Sequence, residues 1–131
     1  MKAKIDAIIQ REQAEYLERI LPTSHGLLEE MEAYAAQHRV PIADREVALF
    51  LEITARAIKA RQVLECGMAI GYSVIHLARA MPDDGLVITI DPSDEMIKAA
   101  EGYLTRAGLR DRPGGLAILQ PGRAQLCRGN H

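Results

Sequence analysis

Apolar positions recur at helical spacing through the first 60 residues. Ile5, Ile8, Ile9, Tyr16, Leu17 and Ile20 make a broad stripe over residues 3–21. Pro22 interrupts it, and Thr23 or Ser24 offers a cap for a second helix. That second helix has the cleanest pattern, with Leu27, Leu28, Met31, Tyr34, Ala35 and His38 on one side. Val40-Pro41-Ile42 is an extended break, because a residue before proline avoids the helical region. Asp44 is a good N-cap for a third helix, whose inward face is expected to carry Val47, Leu51, Thr54, Ala55 and Ile58.

After Ala60 the period changes. Residues 62–66 form a short strand that runs into Gly67, and residues 67–71 form a loop. Residues 72–80 are helical, with Val74, Leu77, Ala78 and Met81 inward. Pro82-Asp83-Asp84-Gly85 is a turn signal. Leu86 to Ile90 is a β-branched run of the buried-strand type. A helix follows from about Asp94 to Ala107, closed by Gly108. Pro113-Gly114-Gly115 breaks the chain again, and residues 116–120 form a third strand. Alternating strands and helices with short connections predict an α/β fold: N-terminal helices over residues 1–60, then a partial Rossmann-like parallel sheet over 61–131, strand order 3-2-1, all in one domain.

Composition narrows the function classes. The chain has 131 residues, a formal net charge of -2, one Phe and no Trp. Neither a nucleic-acid partner nor a membrane partner is expected from that balance. No apolar run is long enough to span a bilayer, and residues 1–10 do not read as a secretion signal. Cys66 and Cys127 have no metal or redox spacing, so free thiols in a cytoplasmic protein are expected. The four histidines have no mutual metal spacing.

Ligands of such sheets bind beyond the carboxyl ends of the strands. The first of those ends is Glu65-Cys66-Gly67-Met68-Ala69-Ile70-Gly71-Tyr72-Ser73. Two glycines let the backbone turn tightly and approach a ligand. The following helix offers free N–H groups and its positive end to an anion, and Ser73 adds a hydroxyl. A small carboxylate fits there. Asp91 ends the second strand, where a carboxylate can accept both hydroxyls of a ribose. A dinucleotide loop would need G-x-G-x-x-G, whereas this one is G-x-x-x-G-Y-S without a third glycine. A plainer reading stays open: Ser73 and Asp91 as helix caps and Gly71 as a turn. Glu65 fits that reading least, since a buried carboxylate wants a partner.

The run V-L-E-C-G-M-A-I-G-Y-S followed by H-L-A-R-A-M-P-D-D-G-L-V-I-T-I-D resembles the S-adenosylmethionine-dependent O-methyltransferases of the catechol and caffeoyl-CoA type. The resemblance runs from about Tyr16 to Leu126. It implies methyl transfer from S-adenosylmethionine to a hydroxyl of a small, aromatic acceptor. By resemblance, Glu65 lies under the methionine tail and Gly67 and Met68 contact it through their backbone. Gly71, Tyr72 and Ser73 shape the tail site, with Ser73 on the carboxylate. Asp91 holds the ribose, Ala124 lies near the adenine, and Ala43 lines the cofactor. The family also uses a divalent metal, bound after a fourth strand. This sequence ends at His131, ahead of those ligands, so no catalytic and no metal-binding residue is assigned. The alternatives are a non-catalytic S-adenosylmethionine-binding or interaction module, and a nucleotide-binding remnant. In the complete family fold the first strand is central. Here its edge is open, which predicts a homo-oligomer or a covering N-terminal helix.

Overall fold

A computed structural model describes residues 10–122. Three helices come first: α1 (Arg11–Ile20), α2 (Leu27–His38) and α3 (Arg45–Ala57). The chain then alternates β1 (Gln62–Cys66), α4 (Tyr72–Ala80), β2 (Leu86–Ile90), α5 (Asp94–Arg106) and β3 (Leu116–Leu119). The strands are parallel in the order β1-β2-β3, which is the predicted 3-2-1 read from the other edge.

Right-handed crossovers that both step the same way put α4 and α5 on one face of the sheet. Burial follows that geometry. Val87 and Thr89 are fully buried and Leu116 nearly so, while the alternate residues Leu86, Ile88 and Ile90 are half-buried. The core under the helices is aliphatic. Met31 of α2, Ile70, Val74 and Ile75 around α4, and Leu104 of α5 meet there at 2% exposure or less. Each such side chain contributes about 1.5–3 kcal/mol by leaving water. Tyr72, whose ring is also buried, is the core's one aromatic residue among those described.

Turn chemistry sets the limits of β1, α4 and β2, which fall where the sequence puts them. Gly85 N–H donates to the Pro82 carbonyl at 2.8 Å, closing the turn before β2. Ser93 caps α5 by accepting from Met96 N–H, and Gly108 leaves the helix at φ +71°. The helical stripe of residues 3–21 is seen only from Arg11, because its beginning lies outside the described residues.

Two local expectations are corrected. The cap of α2 is Gly26, at φ +60°, and not Thr23 or Ser24. The Ser24 hydroxyl is engaged elsewhere, donating to Glu32 at 2.5 Å. Asp44 does sit at the N-cap of α3, but its side chain makes no capping bond. The inward face of α3 is also different. Ala48 and Ala55 are buried against α4, whereas Val47 and Ile58 are 46% and 70% exposed. Close packing of α3 on α4 selects small residues at the contact and turns the large ones outward.

Candidate functional site

The site grows from the carboxyl ends of β1 and β2. The chain leaves β1 at Gly67, φ +88°, whose N–H donates to the Ile90 carbonyl at 2.7 Å. Gly71, φ +87°, receives the chain at the start of α4, and its N–H donates to the Met68 carbonyl at 2.8 Å. Both glycines have the left-handed backbone that side chains resist. At Gly71 space is short as well: a Cβ there would lie 3.3 Å from Cγ of Leu104.

The loop encloses a hollow of about 220 Å³. Ala43, Glu65, Gly67, Met68, Tyr72 and Ser73 all border it. Six of the nine residues expected at the cofactor are thus gathered in one place. Met68 is 2% exposed, so it offers the hollow mainly its backbone. Gly71 and Asp91 stand just behind the lining. Ala124 lies outside the described residues.

Glu65 is the chemical centre of the hollow. Its carboxylate accepts from the Ser73 hydroxyl on one oxygen and from the Thr89 hydroxyl, at 2.9 Å, on the other. Burial pushes the Glu65 carboxyl above its usual range. The two hydroxyl donors pull it back, and the charge of Asp91 adds to the rise. Ser73 does not cap α4, so the free N–H groups of that helix's first turn remain available.

Asp91 is buried, 6% exposed. One of its oxygens accepts from Ala69 N–H at 3.0 Å and the other from Ser93 N–H at 2.9 Å. The first bond steadies Ala69, which borders the hollow in a left-handed conformation at φ +46°. A carboxylate oxygen has two lone-pair sites, so each oxygen keeps one for a ligand. Tyr72 points the other way. Its phenol donates to Glu32 at 2.6 Å, and burial first, then the Glu32 carboxylate, raises its pKa.

Thr89 and Glu32 are the functional neighbours that sequence reading missed. Thr89 could have been found from register, since it pairs with Glu65 across the parallel ladder and shares its face. Glu32 gives no local signal, because 40 residues separate it from Tyr72. Among the described residues no group of three or more His, Cys, Asp or Glu could hold a metal ion.

Residues 18–117 match the sequence pattern of the O-methyltransferase family. The chain belongs to that family. A catechol O-methyltransferase of Mycobacterium tuberculosis is 43% identical over 63 residues, covering 48% of this chain and 29% of the relative. Among solved structures, a methyltransferase from Geobacter sulfurreducens superposes with a TM-score of 0.76 at 29% identity, over 87% of this chain and 58% of that one. The O-methyltransferase from Bacillus cereus, solved in complex with SAH, gives a TM-score of 0.70 at 26% identity, over 83% and 49%. The sheet and its helices are therefore the Rossmann-like fold of methyltransferases. This chain spans about half the length of those two solved structures, and its match covers 40% or less of curated relatives.

Proposed function

We propose that this chain is the methyl-donor half of an O-methyltransferase, binding S-adenosylmethionine at the hollow between β1 and α4. The observation that carries this reading is the convergence there of a buried carboxylate (Glu65), a hydroxyl (Ser73) and the open N-terminal turn of α4. An amino-acid tail has one group for each. Its ammonium pairs with Glu65, and its carboxylate takes the helix amides and the Ser73 hydroxyl.

Binding asks one rearrangement of Ser73. Its proton now points to Glu65. Turning that proton to the ligand carboxylate would strip Glu65 of a donor, which the incoming ammonium replaces. No buried group is left unpaired. Asp91 has lone pairs left for the ribose and already holds the loop. Gly67, Met68, Gly71 and Tyr72 shape the tail site, Ala43 closes it from the α3 side, and Ala124 is assigned to the adenine by family resemblance alone. The bound cofactor supplies a methyl group activated on a sulfonium. The relative solved with SAH, which has the donor's demethylated form, supports this ligand class.

Among the described residues no cluster of His, Cys, Asp or Glu could hold the divalent metal that the family resemblance implies. The acceptor is a small hydroxylated aromatic, by analogy with relatives named for catechol and caffeoyl-CoA. No helix of the described residues is long and apolar enough to cross a membrane. A cytoplasmic setting, where the exposed Cys66 thiol stays reduced, completes the reading together with self-association through exposed apolar surface.

Calorimetry tests the ligand. S-adenosylmethionine and S-adenosylhomocysteine should bind, and NAD should not. Ser73→Ala and Asp91→Ala should each weaken binding by about 1–3 kcal/mol. NAD bound in preference, or unchanged affinity in both variants, would refute the site. Turnover of a catechol with magnesium then separates an active enzyme from a chain that only holds the donor.

A further inference from the structure

A second and larger hollow, of about 400 Å³, lies between α3, α4 and the linker of residues 21–26. Among the described residues it shares only Tyr72 with the hollow proposed for the donor. Leu21, Pro22, Leu28 and Leu49 give it apolar walls, and the rings of Tyr72 and His76, 5.0 Å apart, border it too. The linker is tied down twice. The Arg45 guanidinium donates to the Pro22 carbonyl, and the Ser24 hydroxyl donates to Glu32 at 2.5 Å. The size is that of a small-molecule site.

Its charges are unequal. Glu52 is the carboxylate on the lining, and both its oxygens are engaged, one by Arg56 at 3.1 Å and the other by Nδ1 of His76 at 3.0 Å. Glu32, off the lining, already accepts from the Ser24 and Tyr72 hydroxyls. The two guanidiniums on the lining have no such partner. Arg45 holds only the Pro22 carbonyl, and Arg79, exposed at the rim, makes no hydrogen bond or ion pair among the described residues. They stand at different ends of the hollow. Arg45 is near enough to the Tyr72 phenol to offset part of the rise in pKa that burial and Glu32 impose there. Arg79 comes seven residues later on α4, about two turns or 10 Å further along.

We propose that this hollow binds an elongated dianion, a dicarboxylate with an apolar middle, with one end on Arg45 and the other on Arg79. A guanidinium presents a planar fork of donors that matches a carboxylate. The leucine walls between the two forks take the apolar middle out of water. A compact anion such as inorganic phosphate reaches one end only and leaves those walls wet. A monoacid of the same length fills the walls and leaves one guanidinium unused. The site is separate from the donor site, so the proposal stands whether or not the chain binds S-adenosylmethionine.

Calorimetric titration of the 131-residue chain with suberate, an eight-carbon dicarboxylate, is the test. Suberate should bind one to one, more tightly than octanoate, and inorganic phosphate should not compete with it. Arg45→Gln and Arg79→Gln should each weaken suberate about tenfold or more, the loss expected for a charge-assisted hydrogen bond. Arg39→Gln, an exposed arginine outside the hollow, should leave it unchanged. If Arg45→Gln fails to fold for want of its bond to Pro22, Arg79→Gln decides alone, because that side chain ties nothing down. No suberate binding overturns the proposal. So does equal weakening by Arg39→Gln, which would mean general attraction of charge. Loss of suberate binding in Ser73→Ala, or its displacement by S-adenosylmethionine, would place the acid in the other hollow and overturn it too.

Discussion

Replacing Glu65 by glutamine takes one charge out of the tail hollow and leaves its shape. Glutamine can still accept from Thr89 through its carbonyl and can donate to the Ser73 oxygen, so the fold should survive. What is lost is the partner of the ligand ammonium. A hydrogen bond to a charged group contributes about 1.5–3 kcal/mol, so the affinity for S-adenosylmethionine should fall by roughly tenfold to a hundredfold. Stability should move the other way. Burial raises the Glu65 pKa, so the native state holds this proton to higher pH than the unfolded chain does. The unfolded state then binds fewer protons, and the wild type loses stability as pH rises from the ordinary carboxylate value to the raised one. Glu65→Gln has no such loss. Wild-type affinity should therefore rise with pH across that same window, with protons released on binding, while the variant stays flat. Calorimetry in buffers of different ionisation heat reads both the affinity and the proton release, and thermal melts read the stability. A variant that binds as tightly as wild type, or keeps its pH slope, refutes the assignment of Glu65 to the ammonium.

Gly71→Ala should destabilise by roughly 1–2 kcal/mol, from a left-handed backbone at φ +87° and crowding against Leu104; an unchanged melting temperature would contradict it. Tyr72→Phe and Ser24→Ala each remove a donor from Glu32, so a double-mutant cycle in denaturant should give a coupling of about 0.5 kcal/mol or more, and strict additivity would show that the two bonds act separately. Met31→Ala should cost about 2–5 kcal/mol, since the side chain is fully buried and its cavity lies where α2 meets the core; a loss under about 1 kcal/mol would mean that α2 is loosely docked.

The legible part of the fold is the part that local chemistry bounds. Gly67, the Pro82–Gly85 turn, Ser93 and Gly108 punctuate the chain so firmly that β1, α4, β2 and the end of α5 could be read in one dimension. The inward face of α3 could not. Hydrophobicity alone turns Val47 and Ile58 inward, but α3 meets α4 through Ala48 and Ala55. Likewise, Ser24 looks like a cap until Glu32, eight residues on, takes its hydroxyl. At the site, Glu65, Ser73 and the glycine loop were legible because they lie within nine consecutive residues, 65–73. The anchoring of Ala69 by Asp91, the Thr89 bond and the Glu32 bond depend on register and tertiary approach, which spacing along the chain does not encode.

The proposed tail site needs only β1, β2 and the helices packed on them, for a geometric reason. In the proposed site the polar groups come from β1, from its loop and from the start of α4, each fixed from the helical face, and Ala43 closes the hollow from the α3 side. Leu104 of α5 packs behind Gly71, Tyr72 is tied to α2 through Glu32, and Glu65 is bonded to Thr89 of β2. None of these supports crosses the outer edge of β1. The hollow should therefore keep its shape whether that edge is bare or paired, and donor binding should be independent of assembly. An affinity for S-adenosylmethionine that changed with protein concentration, in step with any self-association, would show that the edge of β1 and the loop beyond it act as one unit.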